Sequence, residues 1–290
     1  MLDFFDIYLL EVLVSGFLLG GVLALLALGL NLVFGVIDVV WICYAEMIML
    51  GMYGMYFMVT VYHFPFFLAA VLTVIGVGLL GVLLHQLVIK PLLEAAPINQ
   101  LLATGGVLFF MQSFATVVFG IDFRNLGIRL PVLAIGELPI SYARLLAFGV
   151  ALISMLAVWL FLTRTYIGTA IRAIAQDRQI MPLMGVDSRR VYLVTSMVGG
   201  SLAGLAACLL VLQYDVHPFI GLSFGPIIFM VCVMGGLGNM IGGFIAAFIF
   251  AEIISVGGLY LDLEWGYVFA FCFFIAMMFA RPQGILAKRA

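Results

Sequence analysis

Charge is the scarcest property of this 290-residue chain, because only 9% of its residues are Asp, Glu, Lys or Arg. Soluble globular domains carry about 25% charged residues, whereas 66% of the residues here are hydrophobic. A water-soluble fold of this size could not bury so much apolar surface, so lipid is the expected solvent. The sequence also lacks a basic patch that could neutralise phosphates, which argues against nucleic acid as a partner.

Cysteine and histidine are equally sparse. The four cysteines lie inside apolar runs without paired spacing, and we expect them to be small buried hydrophobic residues, neither disulfides nor metal ligands. They are Cys43, Cys208, Cys232 and Cys272. Three scattered histidines make no credible metal site, and no pattern of nucleophile and base converges within the membrane. We therefore predict no metal, no cofactor and no enzymatic site.

An ATP-binding motif is also missing. A P-loop requires Gly-Lys-Ser/Thr after a glycine-rich turn. The two lysines are Lys90, which precedes Pro91, and Lys288, which follows Ala287. Neither fits, so any work driven by ATP must come from a partner.

Long apolar runs fill the rest of the chain, and a membrane helix needs about 20 such residues. The runs are 8–30, 39–60, 66–89, 100–120, 141–163, 190–213, 225–257 and 264–280. The run 225–257 is too long for one span and is interrupted at Gly235–Gly243, where glycines flank Asn239, which predicts a hairpin of two shorter helices. The predicted fold is an all-α, polytopic transmembrane helix bundle with eight or nine crossings, in a single domain over 1–290. Gly199, Gly200 and Gly204 are spaced to let helix backbones approach closely.

Cations set the predicted orientation, because cytoplasmic loops are enriched in Lys and Arg. With segment 164–190 in the cytoplasm and the hairpin counted as two crossings, nine of the twelve cations face the cytoplasm, and the acidic N-terminus faces outward. The C-terminal cations Arg281, Lys288 and Arg289 then also lie inside.

The segment 164–190 is too polar to cross a bilayer and holds five arginines. Between Gly168 and Pro182 its pattern predicts a short helix. The expected apolar face is Ala170, Ile171, Ile174 and Met181, and the expected polar face is Arg172, Gln176 and Gln179. Arg178 falls inside the apolar arc, which is awkward for simple burial. Such a helix suits docking into a groove on another protein, although a solvated loop with ordinary positive-inside charge is the alternative.

Five motifs in order carry a family resemblance. The stretch G-T-A-I-R-A-I-A-Q-D (Gly168–Asp177) followed by M-G-V-D (Met184–Asp187) resembles the coupling loop of bacterial ABC-importer permeases of the branched-chain amino acid (Liv) type. Four further stretches are similar to that family in order and spacing. They are G-L-N-L-V-F-G-V (Gly29–Val36) with Y-A-E-M-I-M-L-G-M-Y (Tyr44–Tyr53), G-G-S-L-A-G-L-A-A (Gly199–Ala207), V-M-G-G-L-G-N-M-I-G-G (Val233–Gly243) and R-P-Q-G-I-L (Arg281–Leu286).

The resemblance implies a permease that moves branched-chain or other hydrophobic amino acids across a bacterial inner membrane. It implies two ABC ATPase subunits, a homologous permease subunit and a periplasmic substrate-binding protein as partners, besides membrane lipid. The residues that it assigns to ATPase coupling are Gly168, Arg172, Ala173, Asp177 and Gly185. Ala45, where the family usually has glycine, and Pro182, where it commonly has a small residue, depart from the pattern.

Polar residues within the apolar runs are candidates for the transport pathway, because ionisable groups at mid-bilayer are costly. The candidates are Asn31, Glu46, Gly236 and Asn239. For Glu46 the alternative is that it caps a backbone gap or pairs with a neighbouring helix.

Two other functions stay open at this point. Close relatives of the family carry urea and short amides, so the cargo could be of that kind. A secondary transporter or channel acting alone would need midplane ionisable groups for ion coupling, and Glu46 is the only clear candidate.

Overall fold

The structure is a computed structural model that describes residues 2–128, 132–135, 138–178, 180–260 and 263–286. Its described part contains ten helices longer than ten residues. They are α1 (Leu2–Ile37), α2 (Tyr44–Tyr56), α3 (Phe66–Leu84), α4 (Pro97–Phe119), α5 (Tyr142–Arg164), α6 (Tyr166–Gln176), α7 (Ser188–Leu210), α8 (Ile220–Gly235), α9 (Met240–Tyr260) and α10 (Leu263–Ala280). A two-stranded antiparallel hairpin, β1 (Val132–Ile135) and β2 (Leu138–Ser141), precedes α5. The all-α polytopic bundle is therefore confirmed, with this hairpin as a small addition.

Seven of the described helices are long and apolar enough to cross a membrane, by length and composition. They are α1, α2 with its π-helical extension Phe57–Val61, α3 with its continuation to Leu92, α4, α5, α7 and α9. Helices α8 and α10 are shorter but apolar. The predicted break in the run 225–257 is confirmed, because α8 ends at Gly235 and α9 begins at Met240. That all 290 residues form one domain stays a prediction.

Two boundaries differ from the sequence-based prediction. Helix α1 continues to Ile37, beyond the predicted run 8–30, and residues 39–43, which were predicted as the start of the span 39–60, are not helical. Helix α8 begins at Ile220, five residues before the predicted apolar run 225–257. Both errors arise because the boundaries were predicted from hydropathy. A buried extended segment and a buried helix can have the same apolar composition.

One hydrophobic core runs through the described helices, and α1 lies at its centre against α5, α7, α8 and α9. The expected close approach of helices is confirmed at Gly200 on α7, where an added Cβ would lie 2.7 Å from the carbonyl oxygen of Val77 and 3.1 Å from Cα of Gly78 on α3. Three cysteines are buried, but the prediction for Cys272 is wrong, since it is exposed on α10. Helix α10 packs chiefly against α9, so much of its surface faces outward.

The bundle has two distinct ends, which α8 connects. At one end the Arg124 and Val216 backbones pair, and Asn125 donates to Asp215 over 2.7 Å. At the other end, here named the coupling end, α6 lies beside the C-terminus of α1, the turn 236–239 and the segment 284–286. Segment 164–190 and the C-terminal segment lie together at the coupling end, where Arg172 and Gln283 line one cleft, as the predicted orientation requires. Which side faces the cytoplasm stays a prediction, and Lys288 and Arg289 lie outside the described residues.

Candidate coupling and pathway sites

Helix α6 is the short amphipathic helix expected in segment 164–190. Thr165 caps its N-terminus by accepting a hydrogen bond from the Gly168 backbone N–H over 2.9 Å. Gly168 lets the helix pack on the end of α5, because a Cβ there would overlap the backbone of Phe161 and Leu162. Ala170, Ile171 and Ile174 are buried, and Arg172 and Gln176 are exposed. Ala173 is half-buried at the edge between the two faces.

The predicted extent of this helix is wrong at its C-terminal end. The helix stops at Gln176 because Asp177 has extended backbone angles, φ −150° and ψ 107°. The side chain of Asp177 then accepts a hydrogen bond from Ile180 N–H over 3.0 Å and turns the chain. Met181 therefore lies on a separate 3₁₀ turn, Met181–Met184, rather than on the apolar face of α6. Gln179, assigned to the polar face, lies outside the described residues.

Gly185 follows that turn with φ +82°, in the left-handed region that favours glycine. It is exposed, as are Leu183 and Met184 beside it. Asp187 caps α7 by accepting from the backbone N–H groups of Arg189 and Arg190. The segment between the two caps thus presents an exposed apolar tip next to the charged face of α6.

Arg178 resolves the anomaly noted in the sequence. Its guanidinium donates to the carbonyl oxygen of Ile37, the last residue of α1. Its Nε donates to Tyr192 Oη on α7 over 3.1 Å, and the guanidinium carbon lies 5.4 Å from the Tyr192 ring centroid. An ion pair with Asp38 at 3.9 Å completes the set. Arg178 therefore connects segment 164–190, hereafter the coupling segment, to the two membrane helices α1 and α7.

Three of the four predicted pathway residues lie in or against the turn between α8 and α9. Gly236 and Gly238 have φ of +95° and +81°. Asn239 accepts from Gly242 N–H over 3.0 Å and donates to the carbonyl oxygen of Leu286 over 2.8 Å. Asn31 on α1 accepts from Gly238 N–H over 3.3 Å. The contacts of both asparagines hold this turn and the C-terminal segment against α1.

Two clefts are lined both by predicted coupling residues and by residues of this turn. One of 610 Å³ is lined by Arg172 and Ala175 of α6 and by Gly236–Ile241. The other, of 580 Å³, is lined by Asp177, Arg178, Asp38 and Leu237–Gly238. The predicted coupling residues and three predicted pathway residues therefore share the coupling end, although they lie far apart in sequence.

Glu46 belongs to a different place, the start of α2. The six residues before α2 are not helical, and Tyr44 Oη donates to the carbonyl oxygen of Gly199 over 3.3 Å. Tyr44 also touches Gly29, eight residues and about 12 Å of helix before the end of α1. Helix α2 therefore begins inside the bundle. Glu46, in its first turn, is fully buried.

The carboxylate of Glu46 faces the first turn of α8. A Cβ at Gly221 would overlap both of its oxygens, so the glycine is required for this contact. Neither oxygen has a hydrogen-bond partner in the described part of the chain. Interrupted helices whose N-termini meet within a bundle are typical of transporter binding regions, because helix N-termini carry positive partial charge.

An apolar cavity of 280 Å³ adjoins this junction. Its walls come from the break before α2 (Val40, Trp41 and Ile42), the first residues of α2, α8, and side chains of α1 and α4. Gly221 and Gly225 lie on the α8 wall. The volume is near the lower end of about 300–1,000 Å³ that small-molecule pockets occupy. The cavity can hold a small apolar group, and Gly221, which lines it, also contacts the Glu46 carboxylate, although Glu46 itself is not a lining residue.

Sequence reasoning missed Tyr192, Gly221 and the cavity-forming segment 40–42. The position of Arg178 in an apolar arc was a usable signal, because an arginine that is partly buried among apolar residues needs fixed partners. For Gly221, the signal was a glycine four residues before Gly225-Pro226 at the start of an apolar run.

Multiple apolar helices, an interrupted helix pair inside the bundle and a polar segment at one end define a multi-pass membrane protein of the transporter class. A family model described as "Branched-chain amino acid transport system / permease component" matches residues 12–278. The chain therefore belongs to this family of permease components.

Curated relatives match along nearly the whole chain. It is similar to the high-affinity branched-chain amino acid transport system permease protein BraD of Pseudomonas aeruginosa, with 28% identity over 298 residues and 96% of each chain covered. It is also similar to the permease protein LivH of Salmonella typhimurium and of Escherichia coli, each at 25% identity with 97% of this chain and 96% of the relative covered. Among solved structures, PsaBC from Streptococcus pneumoniae in complex with Fab aligns at a TM-score of 0.47 with 16% identity, over 96% of this chain and 92% of that one.

Proposed function

We propose that this chain is the membrane-spanning permease subunit of an ABC importer that moves branched-chain or other hydrophobic amino acids into the cytoplasm. Two separate ATPase subunits drive it through α6, a homologous permease subunit completes the pathway, and a periplasmic binding protein delivers the cargo. The location is the bacterial inner membrane, with the coupling end in the cytoplasm. The names of the curated relatives support the cargo.

The observation that carries this proposal is the construction of α6. Its apolar face is buried against the bundle, and its other face exposes Arg172 and Gln176 beside the apolar tip Leu183–Met184. A short helix capped at its N-terminus and offering both charged and apolar contacts suits a groove on a soluble protein. The sequence has no P-loop of its own.

The physical mechanism is alternating exposure of one pathway. Closure of the ATPases would displace α6, which packs against α1 and lines two clefts together with the end of α1 and the α8–α9 turn. Packed helices shift as rigid bodies between discrete arrangements, so a displacement at this end changes access elsewhere in the bundle. The apolar cavity beside Glu46 is the place we assign to passing cargo.

The test is uptake of radiolabelled leucine into proteoliposomes that contain the complex co-purified with this chain, its binding protein and internal ATP. Replacing both Arg172→Ala and Asp177→Ala should abolish ATP-dependent uptake while the chain stays in the membrane. Lys90→Gln is the matched control, because it removes an exposed cation outside segment 164–190. Normal uptake by the double variant would reject α6 as the coupling element.

The same preparation separates the other candidate functions. Competition by excess urea or acetamide, and none by isoleucine, would replace the amino acid cargo by short amides. Uptake that persists without ATP but needs a proton gradient would reveal an autonomous transporter. Robust ATP hydrolysis by the purified chain alone would contradict its dependence on a separate motor.

A further inference from the structure

Arg178 is the one arginine of the coupling segment whose side chain reaches into the bundle and contacts two membrane helices in the described structure. Its side chain is 33% exposed, whereas that of Arg190, paired with Asp187, is 86% exposed. It stands two residues after the end of α6, so its backbone must follow any displacement of that helix.

Arg178 contacts α1 at a carbonyl group that is a strong hydrogen-bond acceptor. The last carbonyl groups of a helix have no intrahelical partner and carry the negative end of its dipole. The guanidinium of Arg178 donates to such a carbonyl, that of Ile37, in a charge-assisted hydrogen bond. The flat guanidinium also lies over the Tyr192 ring while Nε donates to its hydroxyl. The exposed ion pair with Asp38 adds little to this.

The end of α1 leads directly into the cavity wall. Asp38 has φ +56° and turns the chain out of the helix. Val40, Trp41 and Ile42 then line the cavity. Thr104 on α4 donates to the carbonyl oxygen of Val40 over 3.0 Å, which anchors this short segment in the bundle. Only two residues, Asp38 and Val39, separate the carbonyl that Arg178 holds from the cavity wall.

We propose that Arg178 is the positioning residue that transmits movement of α6 to the wall 40–42 of the cavity. The inference rests on the proposed function, because it assigns a route to the coupling between ATPase and cargo site. When α6 moves, the guanidinium pulls the end of α1 and the segment 38–43 with it, and Tyr192 keeps the guanidinium plane oriented during the movement. Arg178 does not touch cargo.

The experiment measures leucine taken up per ATP hydrolysed in proteoliposomes with the co-purified complex. Arg178→Ala should keep the assembled complex and its ATPase activity but lower this ratio about tenfold, within the range typical of couplings between sites. Arg178→Lys keeps the charge but loses the fork geometry, and Tyr192→Phe keeps the ring but loses the hydroxyl, so both should fall in between. Lys90→Gln should match the wild type.

A second readout follows the cavity wall itself. Cys43 is buried at the end of the segment 38–43, so its labelling by N-ethylmaleimide, located by mass spectrometry, reports opening of this wall. In the wild type the labelling rate should differ between the nucleotide-free complex and the complex trapped with ATP and vanadate. In Arg178→Ala that difference should disappear.

Three results would overturn the inference. They are an unchanged uptake-to-ATP ratio in an assembled Arg178→Ala complex, loss of assembly in all three variants, which would make the contact structural, and a wild-type labelling rate that ignores nucleotide. Failure of the proposed function looks different, because the wild-type complex itself would then show no ATP-dependent leucine uptake.

Discussion

The substitution Glu46→Gln tests the pathway directly, because it changes charge and hardly changes shape. Glu46 is fully buried, and neither carboxylate oxygen has a hydrogen-bond partner among the described residues. An ionised acid at the centre of a membrane helix costs about 2.5–3.5 kcal/mol on insertion scales, which is an upper bound for Glu46 in the first turn of α2. A buried amide without a partner costs about 1–3 kcal/mol. The difference predicts that the Gln variant unfolds at the same or higher temperature.

Glu46→Gln should lower leucine uptake, although it should not lower the unfolding temperature. If the carboxylate contacts the ammonium group of passing amino acids, removing about 1.4 kcal/mol of that interaction lowers uptake about tenfold. Lower uptake without lower stability is the result expected when a residue serves function at the expense of stability. The assays are leucine uptake in proteoliposomes and thermal unfolding of the detergent-solubilised complex.

Two glycines provide matched controls for this experiment. Gly221→Ala places a methyl group where the Glu46 carboxylate lies, so it should displace the acid and lower uptake without removing it. Gly54→Ala adds the same methyl group to α2, where its nearest neighbour would be Thr73 Oγ1 at 3.9 Å, and should leave uptake normal. A Glu46→Gln variant with lower stability and normal uptake would refute the reasoning and assign Glu46 a structural role.

Two further predictions concern the frame that supports these sites. Gly200→Ala should destabilise the complex by about 1–3 kcal/mol, because backbone atoms of α3 occupy the space that the added methyl group needs. Gly76→Ala is the control: a Cβ there would have nothing within 4 Å, so the change should be neutral or stabilising in thermal unfolding. Equal melting temperatures of the two variants would contradict the close packing at Gly200. Asn239→Ala removes two hydrogen bonds of the α8–α9 turn, so the backbone amide of Ile285, which donates to the Met234 carbonyl oxygen, should exchange with deuterium faster, and an unchanged exchange rate would show that the turn does not hold the C-terminal segment.

Hydropathy was sufficient for the spans because lipid imposes one requirement on every residue of a crossing helix. It also located the turn between α8 and α9, since glycine and asparagine interrupt an otherwise uniform run. It failed at residues 38–43, where Val39 and Trp41 are as buried as any helical residue. Their backbone groups are satisfied individually, for example Tyr44 N–H by the carbonyl oxygen of Trp41. Composition does not record that difference.

The candidate site divides in the same way. The two faces of α6 could be predicted from local periodicity, because both are encoded within eleven residues, whereas its coupling residues were assigned from the family resemblance. The partners of Arg178 could not, since Ile37 is 141 residues away. Asn31 and Asn239 were grouped with Glu46 as polar residues in apolar runs, yet the asparagines bind a turn at one end and Glu46 lies at the start of α2. A pathway assignment for Asn31, Gly236 and Asn239 stays a prediction, and their contacts favour a structural role.

The irregular segments determine where this bundle can change shape. Packed helices resist deformation, because interiors are as dense as organic crystals, so movement is concentrated in backbone that is not helical. In the described chain, 38–43, the loop after α6 and the turn 236–239 meet at the coupling end, where a Cβ on Gly35 would lie 2.9 Å from Cα of Gly238. The first of these segments continues into the cavity wall. An ATPase that moves α6 would therefore act on a non-helical segment that also leads to Glu46, as the proposed coupling requires.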